Sequence, residues 1–469
     1  MNFKLAWDEY SKKIESGYTF DTQSLSDFLM AFNIPKPLVT INSVGNGLSL
    51  ECFMIESGTK KALFPIYTVQ MDGFKQWSSR FTAIKSMWEY IDWFIPPYIM
   101  NGHIESTMAQ VFNFKNVSQE RAQENFEHAI TALYTIPDMC VFVEQVVPHS
   151  VVLSNHTNTL RESILSYYTG YKSAATASLI PIVESALQQL VNNQGVKGDK
   201  IKEKVENLIE NAISKVNGLM ISNDVWVDEQ FKTQDVTCKL DERAMMFRIF
   251  GDWLKNSFFS NSKHYNKSSG LNRHIFSHGL SLVWQRPTNF HRLIGVLNSL
   301  IFLEYYFLPG SKIGLFYPVM NDQSSSLLDD IHMRMGSQIF YNLKASDKTL
   351  KTGAKMPILT NDDGWYLRAA RLGELCMSGL VEKLRDKEWC CIIGDPVKEG
   401  EFIKVEASKK ERLLKIGLLY TCATSNSVYK ILEGECDVIL YLGAPYRQNE
   451  YAYGINKHVG PLQAWVIPD

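Results

Sequence analysis

The 469-residue chain is 45% hydrophobic and 21% charged, a balance that suits domains with their own cores and excludes disorder. Its formal net charge of −2 excludes a protein-wide positive field, so nucleic acid would have to be held by a local patch. Eight scattered cysteines, with no C-x-x-C pair and no zinc-finger spacing, read as reduced thiols of a cytoplasmic protein.

The opening MNFKLAWDEYSKK lacks a charged-then-apolar export pattern. Residues 1–150 read as a mixed α/β domain with no assigned role. Val39–Ile41, Leu48–Phe53 and Ala62–Val69 have strand patterns, punctuated by Gly45, Gly47 and Gly58. Apolar spacing then predicts a helix over 78–93, stopped by Pro96-Pro97, and another over 118–135 with Ser118 as its N-cap.

Residues 151–310 read as a helical bundle. The pattern predicts a long helical stretch over 158–191 with a kink or break at Pro181. Lys200–Met220 carries an amphipathic stripe at Val205, Leu208, Ile209, Ala212, Ile213 and Val216. Helix continues over 240–259, a polar loop Ser260–Gly270 follows, and two further helices part near Pro287. The most apolar run, Leu293–Leu308, is too short for a bilayer and reads as a buried helix, so no membrane association is expected. Pro309-Gly310 closes the block.

Residues 311–469 return to mixed α/β structure. A helix is predicted over 363–386 and strands over Phe402–Val405, Leu414–Thr421 and Val438–Leu442. Cys390-Cys391 beside Trp389 reads as a buried strand, and 443–461, rich in Gly, Pro and Tyr, as loop.

The chemistry concentrates in residues 271–280, LNRHIFSHGL. Histidine titrates near neutrality and suits proton transfer, while arginine stays charged and forks two hydrogen bonds to phosphate oxygens. Arg273 and His278 lie five apart and do not share a helix face, so Arg273 belongs at the first turn, beside free backbone N–H groups. From Trp253 to Phe302 there is no Asp or Glu, but there are Lys255, Lys263, Lys267, Arg273, Arg286 and Arg292. Such a stretch is what phosphate binding requires, and Lys263, Lys267 and Arg286 are the expected RNA contacts. Trp284 and Tyr265 are candidates for base stacking or packing, and His291 and Arg292 read as a solvated helix face.

Asn272-Arg273-His274 and His278-Gly279, after a polar loop in a helical block, resemble the Arg-polar-x-x-x-His active-site motif of the HEPN ribonuclease superfamily. Residues 167–190, with an Ala-rich turn, Pro181 and Glu184, resemble the long helix of those domains. The resemblance covers about a third of the chain. It implies a central all-α HEPN-like bundle between mixed α/β flanking domains, 1–150 and 311–469; since a bare nuclease needs only the middle region, 311–469 is expected in a sensor or regulatory role. It also implies an endoribonuclease that needs no metal or cofactor and leaves 2′,3′-cyclic phosphate and 5′-OH ends. His278 would act as general base or acid, Arg273 would clamp the scissile phosphate, and Asn272 and His274 would assist. Further implications are a homodimer with a composite site and a toxin role in antiviral defence by abortive infection, with a phage-derived trigger or an antitoxin. The expected alternative is a non-catalytic RNA-binding or protein-interaction protein that uses the bundle as a dimerisation scaffold. A zinc hydrolase is a third reading, but HIFSH lacks the Glu next to the first His that would act as base.

Overall fold

The computed structural model describes residues 2–47, 49–112, 118–222, 224–267, 269–308, 311–353, 369, 372–397, 400–442 and 447–468. The protein is mixed α/β, predominantly helical, with two small mixed sheets. It packs into two compact units, residues 1–161 with 177–325, and residues 162–176 with 326–469.

In the first unit, helix Phe3–Glu15 buries Phe3, Ala6, Trp7, Tyr10 and Ile14, the spacing of one helical face. Strands β1 (Leu38–Val44), β2 (Leu50–Ser57) and β3 (Lys60–Pro65) lie where three strands were expected, although the third does not reach 66–69, and they form an antiparallel meander. Leu48 lies outside the described residues. The third strand stops at Pro65, which has no N–H to continue the ladder. A two-residue strand, β4 (Val225–Trp226), then pairs in parallel with β3. The later segment also sends Phe231 against Trp7, ring edge to face at 5.7 Å, so the N-terminal core is completed by residues far along the chain.

The predicted helix over 78–93 is the latter part of Asp72–Tyr90, and Ser118 caps Gln119–Leu133 by accepting from the Arg121 N–H. The stretch 158–191 is two helices, Thr157–Thr169 and Lys172–Asn193, which part at Gly170. The expected break at Pro181 does not occur: Pro181 sits inside the second helix, and the chain turns where Gly170 takes φ +102°. By length and composition that second helix could also cross a membrane. Helix Ile201–Met220 buries all six residues of its predicted stripe.

The Leu293–Leu308 run belongs to helix Thr288–Phe307, which is buried on every side from Asn289 to Glu304. Gly295 permits this, since a Cβ there would lie 2.3 Å from the Tyr134 hydroxyl. Glu304 is fully buried and accepts from Ser150 Oγ (2.6 Å), Val151 N (2.9 Å), Val152 N (3.3 Å) and Ser311 Oγ (3.1 Å). Four donors around one carboxylate offset its desolvation. Pro309-Gly310 lies outside the described residues.

The second unit holds a five-stranded sheet in sequence order: β5 (Cys390–Ile393), β6 (Phe402–Lys409), β7 (Arg412–Leu419), β8 (Val438–Tyr441) and β9 (His458–Pro461). The first three strands are antiparallel, and β8 and β9 join in parallel after helix Asn426–Glu435. Side chains alternate between two cores, with Ile403, Val405, Leu418 and Leu440 on one face and Phe402, Leu419, Ile439 and Tyr441 on the other. Three sequence expectations change here. Cys390 is exposed and Cys391 half-buried, because β5 is an edge strand. The 443–461 loop contains helix Gln448–Tyr451 and β9, with 443–446 outside the described residues. Helix Asp322–Thr352, 31 residues long, was not predicted. Of the 363–386 helix, 372–386 is helical, and 363–368, 370 and 371 lie outside the described residues.

Replacing Glu304 by Gln puts an amide among donors that need an acceptor. The change should cost about 2–3 kcal/mol, read as a lower urea midpoint at unchanged slope; an equal midpoint would refute the role of this cage.

Candidate active site

Asn272 fixes the segment. It is completely buried, and its side-chain Nδ2 donates to the carbonyls of Ser257 (2.9 Å) and Ser260 (2.8 Å). Its Oδ1 accepts from the backbone N–H groups of His274 (3.0 Å) and Ile275 (3.1 Å), capping helix Arg273–Ser277. Both amide hydrogens and both acceptor positions are thereby engaged. Asn272 is a positioning residue, with no donor left for phosphate. Its two carbonyl partners lie in and just beyond the π-helical turn Leu254–Phe258, where the helix ends and carbonyls are released.

The other end of the short helix closes by an equally specific device. His278 is the C-cap, and Gly279 follows with φ +61°. The Gly279 N–H donates to Phe276 O (3.1 Å) and the Leu280 N–H to Ile275 O (3.0 Å), the pair of bonds that defines a Schellman stop. The Gly after the motif histidine therefore has a local cause: it allows the left-handed turn that leaves His278 on the exposed end of the helix. The rings of His274 and His278 are parallel, 5° apart in orientation with centroids 6.5 Å apart. Phe276 packs edge-on against Trp284 at 4.9 Å, which gives Trp284 a packing role.

Arg273 stands at the first helical position, as expected. Its Nε forms an ion pair with Glu184 Oε1 at 2.6 Å, and the two side chains are about one-third exposed. Glu184 comes from helix Lys172–Asn193, the same helix that carries Pro181. The pair is made at Nε, and the terminal nitrogens of Arg273 make no hydrogen bond among the described residues, so they can still fork onto an anion.

Three of the six cations of the expected basic patch, Arg273 among them, are paired with carboxylates, and Glu127, Glu184 and Glu206 arrive for this from elsewhere in the chain. Arg286 pairs with Glu127 at 3.3 Å, and Lys255 pairs with Glu206 and with Asp252. Lys263, exposed on the turn Ser262–His264, and half-buried Lys267 have no ion-pair partner among the described residues. His291 and Arg292 are not on a solvated face. Both are buried, because helix Thr288–Phe307 is buried all round. The Arg292 guanidinium lies 4.6 Å over the Trp93 ring and donates to Asn289 Oδ1 at 2.7 Å. Burial pushes its pKa down, and the Asp92 charge opposes that shift.

Asp92 is the residue that sequence reading missed. Its carboxylate accepts from Ser257 Oγ (2.5 Å) and Ser269 Oγ (2.6 Å), pinning both ends of the polar loop. Ser269 Oγ also accepts from the Leu271 N–H, and the Tyr265 hydroxyl is bonded to it at 3.0 Å. Tyr265 is thus held in the loop's support and is not free to stack on bases. Asn289 closes the same network by donating to Ser269 O and Trp284 O. No local signal marks Asp92, since its partners lie more than 160 residues away.

No three His, Cys, Asp or Glu side chains among the described residues form a metal-binding cluster. No known protein family, curated protein or solved structure matches the chain.

Asn272→Ala should cost about 2–3 kcal/mol, the sum of a lost cap and two abandoned carbonyls. Asn272→Ser keeps a cap acceptor and should recover roughly half. Amide exchange across 257–278 would check this: protection equal to wild type would mean that the clamp does not hold the segment.

Proposed function

We propose that this protein is a metal-independent endoribonuclease of the HEPN type, with residues 151–310 as a helical catalytic bundle between α/β flanks. The observation that carries the reading is the arrangement of Arg273 and His278 at opposite ends of one short helix. Asn272 and Glu184 hold the arginine end, and the Gly279 turn presents the histidine. These are the two functions that phosphodiester transfer without a metal requires.

In this reading His278 takes the proton of the ribose 2′-OH, and the 2′ oxygen attacks phosphorus. The P–O5′ bond breaks, leaving a 2′,3′-cyclic phosphate, and the departing 5′ oxygen receives a proton from a second imidazole. His274 stands next to His278 and fits that role, with the same pair on a second copy of the chain as the other source. Arg273 meets the charge on the phosphorane through its terminal nitrogens. Lys263 and Lys267 contact the flanking backbone, and Arg286 does so only if it leaves Glu127. Such an enzyme suits an abortive-infection or toxin role, with the 311–469 region and a phage-derived trigger or antitoxin governing it.

One observation favours a second reading, a non-catalytic RNA-binding or protein-interaction protein that uses the bundle as a scaffold. Leu280, Leu282 and Val283, just after His278, are 62%, 70% and 41% exposed.

The deciding experiment is cleavage of total RNA by purified protein in EDTA. His278→Ala should lower the rate by about a hundredfold or more. Arg273→Lys, which keeps charge but loses the fork, should lower it by at least about tenfold. Glu184→Gln should cost less than either and leave RNA affinity unchanged. Cutting that is equal in wild type and His278→Ala would sink the assignment, and tight RNA binding without cutting in a toxic wild-type strain would favour the second reading.

A further inference from the structure

The first unit contains a cavity of about 420 Å³, built from elements other than Asn272–His278. Its size falls in the range of small-molecule sites, roughly 300–1,000 Å³. One wall is the π-helical turn Phe142–Val146 with the following turn to His149. The facing wall is the segment 312–318. Short π-helical turns of this kind recur at functional sites.

Both walls are anchored. Glu304 accepts from Ser150, Val151 and Val152 just after His149, and from Ser311 just before Lys312. The floor is the ring of Tyr98 stacked on Tyr317, centroids 5.0 Å apart and 14° from parallel. Tyr98 is held at φ +64°, a left-handed conformation that is rare for a tyrosine. The Tyr317 hydroxyl donates to Asn298 at 2.9 Å, while the buried Tyr98 hydroxyl has no partner among the described residues.

The one acidic lining residue is already paired, which leaves Lys312 as the uncompensated charge of the lining. Glu144 is offset by Arg161, whose Nη1 donates to Oε1 at 2.7 Å. Lys312 and His149, one from each of the two lining segments, are exposed and have no protein partner among the described residues. Phe316 stands at the cavity with 83% of its side chain exposed, a costly place for a ring with nothing to cover. An anionic group for Lys312 and His149, a planar ring for Phe316 and a hydroxyl or amine for the second oxygen of Glu144 together describe one class of molecule.

We infer that this cavity binds a purine mononucleotide, phosphate toward Lys312 and His149 and base against Phe316. The inference does not depend on the nuclease reading. The same chemistry is offered by a free nucleotide and by the 5′-phosphorylated end of a strand.

The test is isothermal titration of the full-length protein with AMP, adenosine, inorganic phosphate and a 5′-phosphorylated DNA tetranucleotide, which has no 2′-OH to cleave. AMP should bind at one site per chain, at least about tenfold tighter than adenosine or phosphate alone. The double change Lys312→Ala/His149→Ala should weaken AMP by about tenfold or more, and Phe316→Ala by about threefold or more. These side chains are exposed, and an unchanged near-ultraviolet spectrum would verify that the variants fold. Tighter binding of the tetranucleotide than of AMP assigns the site to strand ends, and the reverse assigns it to free nucleotide. No saturable binding of either, or AMP affinity unaffected by the double change, overturns the proposal.

Discussion

The first unit is organised around one constraint: helix Thr288–Phe307 is buried from Asn289 to Glu304, yet it carries polar side chains that must be satisfied without water. Three of them reach different parts of the chain. Asn289 donates to the loop at Ser269, Asn298 accepts from Tyr317, and Glu304 gathers Ser150–Val152 and Ser311. An apolar helix would pack as well but would fix none of these loops in position. The polar residues cost desolvation and return register, so the loop before Asn272 and both cavity walls are set by the same rod.

The candidate site shows how burial and chemistry divide the work. Asn272, Asp92 and Ser269 are buried and hold the backbone, whereas Arg273 and the imidazoles are partly or wholly exposed. A short helix of five residues has little intrinsic stability, since nucleation is unfavourable and few bonds follow. The Asn272 cap and the Gly279 stop replace the missing length. Arg273 is paired to Glu184 at Nε, the nitrogen least useful for an end-on fork, so the end that would meet a phosphate in the proposed reading stays open.

Legibility in the sequence followed the range of the forces involved. The first-turn place of Arg273 and the amphipathic stripe of Ile201–Met220 are local, and helix geometry and periodicity identified them. Helix Asp322–Thr352 escaped because its buried apolar residues are sparse, with Met333, Ile339, Phe340 and Tyr341 exposed. The charge of the 253–302 span was misjudged for a different reason. A run without Asp or Glu looks basic in one dimension, but Glu127, Glu184 and Glu206 reach it from three other helices. Charge composition over a window measures a patch only when the fold brings nothing across, and here it does. Asp92 and the completion of the N-terminal core by Phe231 were illegible on the same ground, as both are long-range pairings.

That neutralisation bears on how any phosphodiester could be engaged. A surface with half of these cations already paired gives a weak, non-specific field, so attraction at long range is small and contact must be made at a few defined points. Arg273 is such a point because its partner leaves one end free, and Lys263 and Lys267 add exposed or half-buried charge on the adjoining loop. Breaking the Arg286–Glu127 pair would add another cation, and a pair at 3.3 Å with a half-exposed guanidinium is weak enough to yield to a phosphate. Buried Arg292 has no such freedom. Its charge, held over Trp93 and beside Asn289, acts on the loop from behind and belongs to the scaffold. In the proposed reading, recognition on this surface would be set by which cations the fold leaves uncompensated.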